Sequence, residues 1–130
     1  MKHFFINLPP YILSTITLFF VFYFTLSPKP LPNFEPPFFE FDKVVHIIMM
    51  LCLYLIFAFD YTRRERHHKL SLSALTVLLI ITILIGGFIE LAQSTSLIHR
   101  SCDLGDFIAD SLGAIIGCLI SRPIIYRLVK

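Results

Sequence analysis

Four long apolar runs, separated by polar segments, dominate the hydropathy pattern of this chain. They cover residues 11–26, 44–59, 70–92 and 107–120. Because a bilayer core of about 30 Å needs roughly 20 helical residues, the second and fourth runs are long enough only with their polar flanks. The pattern predicts an all-α integral membrane protein, a single domain built as a four-helix bundle. The predicted spans are about 10–27, 42–60, 70–92 and 104–121.

Composition supports this prediction of a membrane protein. Of the 130 residues, 56% are hydrophobic, and the mean hydropathy is +0.78, well above the values of an ordinary soluble domain. Lys2 precedes the first run, as in a signal peptide, but no small-x-small cleavage site follows Leu26. We therefore expect the first run to be retained as a helix.

The basic residues predict how the bundle is oriented. Counted on alternate sides of four spans, eight Lys and Arg residues fall on one side and three on the other. Since cytoplasmic loops carry an excess of Lys and Arg, we expect both termini to be cytoplasmic. The basic segment RRERHHK at 63–69 is then an orientation signal that contacts anionic lipid heads, and we predict no binding of nucleic acid.

Nine polar side chains are predicted to share one end of the bundle. With four alternating spans, the start of the second, the end of the third and the start of the fourth lie at the outer membrane boundary. Residues three or four apart share a helix face, so the side chains of each segment can converge. This predicted polar site consists of Asp42, Lys43, His46, Glu90, Gln93, Arg100, Asp103, Asp106 and Asp110.

The acids of this site are more numerous than helix capping requires. A carboxylate at a helix start is favoured by roughly 0.3–1 kcal/mol, which does not explain Asp110, a turn deeper, or Glu90, after a long apolar run. One interpretation is a structural clasp, in which Lys43 and Arg100 neutralise Glu90 and Asp106. However, five carboxylates face two bases, and this surplus favours a cation, a proton or a donor group from a ligand.

Signatures of a metal or cofactor are weak. His, Glu and Asp from several helices could hold a divalent metal, but no ligand spacing such as HExxH occurs. Cys52, Cys102 and Cys118 show no CxxC or CxxH spacing, which is typical of small buried hydrophobes rather than of disulfides or zinc ligands. The sequence therefore predicts no metal and no cofactor.

Two glycine pairs are predicted to allow close helix packing. Gly113 and Gly117 form a GxxxG motif, and Gly86 and Gly87 lie one turn before Glu90. Small residues at these spacings let another helix approach closely. We expect the partner of GxxxG to be a helix of the same chain, with dimerisation as the alternative.

Three separated motifs resemble a known family. They are DKVVH beginning at Asp42, ELAQ beginning at Glu90 and RSCDLGDFIADSLGAIIG beginning at Arg100. Their order and spacing resemble the VanZ-like family of polytopic bacterial envelope proteins, whose founding member is linked to low-level resistance to the glycopeptide teicoplanin. The family usually has Asn where this chain has Asp110. The resemblance implies a multi-pass protein of the bacterial cytoplasmic membrane, with an outward site near cell-wall precursors.

Three functional hypotheses follow. In the leading one, which is non-enzymatic, the outer site binds a lipid-linked cell-wall precursor or a glycopeptide and affects glycopeptide susceptibility. In the second, the protein is a membrane-embedded hydrolase or transferase acting on a lipid-linked substrate. His46 or Glu90 would then be the general base, and Arg100 or Lys43 would stabilise negative charge. In the third, the chain is a purely structural helix bundle, which could form homo-oligomers.

Overall fold

Four α-helices form the fold in the computed structural model, which describes residues 7–27, 33, 35, 40–64, 70–95 and 103–129. No β-strand occurs in these ranges, so the predicted all-α bundle is confirmed. Three of the helices are long and apolar enough to cross a membrane, and the first is a shorter apolar helix. The helices are α1 (Ile12–Leu26), α2 (Phe41–Arg64), α3 (Leu72–Gln93) and α4 (Leu104–Val129).

The helix ends differ from the predicted spans. The 15 residues of α1 rise about 22 Å, which is less than the roughly 30 Å of a bilayer core. Helix α2 continues four residues past the predicted end at residue 60, and α4 continues to Val129 through Pro123. Polar residues and proline near a helix end do not stop a membrane helix whose backbone groups are satisfied by its neighbours.

Side-chain caps define where α3 and α4 begin. The Ser71 hydroxyl accepts a hydrogen bond from the Ala74 N–H at 3.1 Å. The Asp103 carboxylate accepts one from the Gly105 N–H at 2.8 Å, and the Asp103 carbonyl oxygen accepts one from the Asp106 N–H at 3.0 Å. Asp103 is therefore the N-cap that starts α4.

The most extensive helix contact joins α2 and α4, and it depends on the two GxxxG glycines. A Cβ atom at position 113 would overlap the carbonyl oxygen of Ile47, and one at 117 would lie 3.0 Å from the Cβ of Tyr54. Glycine at these positions lets the two backbones approach directly. The GxxxG motif thus packs against α2 of the same chain.

Hydrogen bonds attach α1 at both of its ends. The Asp60 carboxylate, completely buried in α2, accepts bonds from the N–H and hydroxyl of Ser14 and from the Arg63 guanidinium, at 2.8, 2.7 and 2.6 Å. At the other end, the Gln93 amide donates to the Thr25 carbonyl oxygen at 2.7 Å. The start of α1 therefore lies beside the end of α2, and its end lies beside the end of α3, so α1, α2 and α3 alternate in direction.

Candidate functional site

A buried contact between α2 and α4 forms the centre of the candidate site. The Nδ1 atom of His46 lies 2.8 Å from Oδ1 of Asp110. The two side chains are 2% and 1% exposed, so the contact is shielded from solvent. His46 is brought here by the first turns of α2, and Asp110 by the second turn of α4.

Helix α3 adds a second buried carboxylate at the same point. Glu90 is 4% exposed, and its Oε2 accepts a hydrogen bond from the Asp103 N–H at 3.3 Å. One potential ligand atom each from His46, Glu90 and Asp110 lie within 4.8 Å of one another. Three helices thus contribute to one compact group.

Asp106 and Asp42 extend this group toward the end of the bundle. One ligand atom each from Asp42, His46 and Asp106 also lie within 4.8 Å of one another. Asp106 is buried, whereas Asp42 is exposed. We call His46, Glu90, Asp106 and Asp110 the buried polar cluster, with Asp42 at its exposed rim.

Each carboxylate of the buried polar cluster has one oxygen to which no described residue donates a hydrogen bond. These atoms, which are buried and have no hydrogen-bond partner among the described residues, are Glu90 Oε1, Asp106 Oδ1 and Asp110 Oδ2. We call them the three open oxygens. A buried acceptor left in this state costs about 1–3 kcal/mol, and more if it is charged. The cluster is therefore suited to a positive or hydrogen-donating group.

Gly86 makes room for Asp110 against α3. A Cβ atom at position 86 would lie 2.9 Å from the Cβ of Asp110 and 3.1 Å from its Oδ2. In contrast, a Cβ atom at position 87 would lie 3.4 Å from the ring of Phe107, which is an ordinary contact. Of the two adjacent glycines, Gly86 determines whether the Asp110 carboxylate fits.

Lys43 lies at the rim and pairs with the cap of α4. Its ammonium is 3.4 Å from Oδ2 of Asp103, and the two side chains are 35% and 49% exposed. The pKa of Asp103 is lowered, first because its carboxylate accepts the Gly105 N–H and then because of Lys43. The structural clasp paired Lys43 and Arg100 with Glu90 and Asp106, whereas the structure places Lys43 on Asp103.

The predicted polar site also included Gln93 and Arg100. Gln93 reaches the same end of the bundle, but its amide binds the Thr25 carbonyl of α1 rather than the buried polar cluster. Arg100 lies outside the described residues. Sequence reasoning missed the buried Asp60–Ser14 contact, for which the one available signal was an acid directly after an apolar run.

Two apolar grooves flank the start of α4. The groove between α3 and α4 has a volume of about 600 Å³, and Glu90 and Asp103 lie in its lining. The groove between α2 and α4, of about 570 Å³, has Glu40 and Lys43 in its lining. The other residues of the α3/α4 groove include Leu84, Gly87, Phe88, Leu91 and Phe107. Glu90 therefore lies both in the lining of an apolar groove and in the buried polar cluster.

The family comparison covers nearly the whole chain. Residues 3–127 match the model of the VanZ/LLP1 family. The chain belongs to the VanZ/LLP1 family. No curated protein and no solved structure matches it significantly. Family membership and three membrane-capable helices together identify a VanZ-like membrane protein.

The cluster of this VanZ/LLP1 protein has three chemical capabilities. The three open oxygens can accept hydrogen bonds from a ligand or coordinate a cation. The His46 imidazole, held by Asp110, has a second nitrogen with which to bind or take up a proton. The neighbouring α3/α4 groove offers an apolar surface with Glu90 in its lining.

Proposed function

We propose that this VanZ/LLP1 protein binds the polar head group of a lipid-linked cell-wall precursor at the buried polar cluster. The lipid chain would lie in the α3/α4 groove. Glu90 belongs to the cluster and also lines the groove. This shared residue is the main support for the proposal. A molecule with a long apolar chain and a polar head fits both surfaces at once.

The cluster suits the chemistry of such a head group. Sugar and peptide portions carry hydroxyl, amide and ammonium donors, and the three open oxygens are acceptors in need of them. Exclusion of water from the cluster strengthens each of these bonds. The Lys43 ammonium at the rim is accessible to an anionic part of the same head group.

Glycopeptide susceptibility would change because drug and protein compete for the same precursor. This requires the cluster to face the outer surface, an orientation supported by the excess of basic residues on the opposite side. Precursor held in the cluster is withdrawn from teicoplanin. The protein therefore protects without chemically altering the drug.

The test uses cells that lack the protein and are complemented with wild type, Glu90→Gln, Asp106→Asn or Asp110→Asn. Teicoplanin susceptibility and membrane abundance are measured together. We expect the three variants to lose protection at wild-type abundance, while the exposed-acid control Glu35→Gln keeps it. Unchanged protection in the three variants at equal abundance would contradict the proposal.

A second measurement distinguishes binding of the precursor from direct binding of the drug. Purified protein in lipid nanodiscs is titrated with teicoplanin, first without and then with a lipid-linked precursor. We expect no saturable binding of the drug alone, and a precursor that binds wild type at least tenfold more tightly than Glu90→Gln. Saturable binding of the drug without precursor would show that the ligand is the drug and not the precursor.

A second candidate function, a membrane-embedded hydrolase, is favoured by the 2.8 Å contact between His46 and Asp110. A carboxylate that holds one imidazole nitrogen leaves the other able to take a proton from water. Turnover of a lipid-linked substrate that disappears in His46→Ala and persists in Lys43→Ala would favour catalysis. Stable binding without turnover by wild type would exclude it for that substrate.

A further inference from the structure

We infer that the buried polar cluster is a binding site for one divalent transition-metal cation such as Mn²⁺ or Zn²⁺, coordinated by His46, Glu90 and Asp110. This inference deepens the proposed function, but only its last step, contact with a lipid phosphate, rests on that function. Spacing along the sequence does not predict the site, because its three ligands come from three helices.

The distances fit the coordination sphere of one ion. Ligand atoms about 2.1 Å from a metal lie roughly 3 Å apart at right angles and at most about 4.2 Å apart. The 2.8 Å contact between His46 Nδ1 and Asp110 Oδ1 is a hydrogen bond, and an ion coordinated by both atoms would displace the proton that they share. One ligand atom from each residue, Glu90 included, lies within 4.8 Å of the others, a limit slightly above the largest separation that one ion spans.

The three open oxygens also favour a cation at this position. Glu90, Asp106 and Asp110 are each more than nine-tenths buried, and each directs one oxygen toward no partner in the described part of the chain. Burial of several ionised carboxylates is costly unless they are paired, and a positive group among them lowers that cost. Lys43 does not supply it, since its ammonium lies on Asp103 at the exposed rim.

The donor set indicates which class of cation would bind. One imidazole with carboxylate oxygens suits Mn²⁺ or Zn²⁺. Mg²⁺ prefers an all-oxygen ligand set with near-ideal octahedral geometry, which a set with one imidazole does not provide. We therefore expect weaker binding of Mg²⁺ than of Mn²⁺.

A cation here would resolve how an acidic cluster recognises an anionic lipid. Three protein ligands leave coordination positions open, and the α3/α4 groove reaches Glu90. A phosphate oxygen of a lipid held in that groove could occupy such a position. The head group would then be recognised through its phosphate, with the cation between it and the carboxylates.

The test uses full-length protein in nanodiscs, stripped with EDTA and titrated with Mn²⁺ while the free ion is followed by electron paramagnetic resonance. Competition with Zn²⁺ and Mg²⁺ follows. We expect one Mn²⁺ per chain, displaced by Zn²⁺, with at least tenfold weaker binding in Glu90→Gln and Asp110→Asn and unchanged binding in Glu35→Gln. Absence of Mn²⁺ and Zn²⁺ binding in wild type would overturn the inference, whatever the variants do.

Arg100, which lies outside the described residues, provides a further control because its guanidinium is the competing source of positive charge. We expect Arg100→Gln to bind Mn²⁺ like wild type. Binding that arises only in Arg100→Gln would identify the guanidinium as the counter-charge and overturn the inference.

Precursor binding measured with and without EDTA separates the two proposals. Mn²⁺ binding with EDTA-sensitive precursor binding supports both. Mn²⁺ binding without precursor binding supports the cation site and overturns the proposed function. Precursor binding without metal binding overturns the cation site and leaves the proposed function standing.

Discussion

Gly86 of α3 and Asp110 of α4 lie so close that a Cβ at position 86 would stand 2.9 Å from the Cβ of Asp110. The absence of a side chain at Gly86 is therefore part of the candidate site. It allows a buried carboxylate to lie against a neighbouring helix.

We predict that Gly86→Ala disrupts the site, because the new methyl group displaces the Asp110 carboxylate from His46. Under the proposed function, protection against teicoplanin should fall to the level of Asp110→Asn, and under the proposed cation site, Mn²⁺ should bind at least tenfold more weakly. Both are measured at matched membrane abundance.

The control for this prediction is Gly87→Ala, one residue away. Its Cβ would meet Phe107 at 3.4 Å, an ordinary van der Waals distance, so we expect nearly wild-type behaviour. Equal losses in the two variants would show that α3 needs flexibility rather than space at Gly86.

The GxxxG contact leads to a prediction about stability. Gly113→Ala forces a methyl group into the carbonyl oxygen of Ile47, so α2 and α4 must separate. Overpacking of this kind typically costs about 1–3 kcal/mol. Unfolding in mixed micelles with increasing SDS should show a loss in that range, and Gly117→Ala, whose nearest contact is 3.0 Å, should lose less. Equal stability of Gly113→Ala and wild type would contradict the packing described above.

A third prediction concerns Gln93, whose amide joins α3 to α1. Gln93→Met keeps the length of the side chain but removes the donor to the Thr25 carbonyl. We expect a loss of about 1 kcal/mol in the same SDS titration, with metal binding at the wild-type level. Ser94→Ala, which removes an exposed hydroxyl at the same end, serves as the control. Loss of metal binding in Gln93→Met would place Gln93 in the site after all.

The cap at Asp103 gives a prediction that depends on pH. Asp103→Ala removes the acceptor for the Gly105 N–H, whereas Asp103→Asn keeps an acceptor suited to capping. We expect stability to decrease in the order wild type, Asp103→Asn, Asp103→Ala at neutral pH.

The sign of the pH effect follows from the lowered pKa of Asp103. The stabilising contribution of its carboxylate is fully present above the ordinary Asp pKa of about 3.9 and is lost as pH falls through the lower folded-state pKa. The difference between wild type and Asp103→Asn should therefore shrink in acid. A difference that grows below pH 4 would be inconsistent with this assignment.

Most of the residues that meet at this end of the bundle could be predicted from the sequence, because helix alternation and helical spacing are sufficient to place them. Alternating helices bring the start of α2, the end of α3 and the start of α4 together, and helical spacing aligns His46 with the acids. Gln93 shows the limit of this reasoning. It lies three residues after Glu90, yet the two side chains reach different neighbouring helices. Their directions depend on how α3 is rotated within the bundle.

Asp60 shows a second limit. An acid directly after an apolar run is equally typical of the start of a polar loop, so the sequence does not predict its burial. The structure buries it completely against Ser14 and Arg63. Its position depends on how α1 packs, and the generic sequence of that helix does not determine this.

The contrast between the two buried acidic sites has a consequence for folding. Both Asp60 oxygens accept hydrogen bonds from the chain itself, whereas the buried polar cluster contains the three open oxygens. Whatever binds those oxygens in the folded protein, and not in the unfolded chain, shifts the folding equilibrium toward the native state. Wild-type protein deprived of its ligand would then be less stable in the membrane, whereas a variant such as Glu90→Gln, which loses the ligand, also loses the larger cost of leaving a charged oxygen unsatisfied.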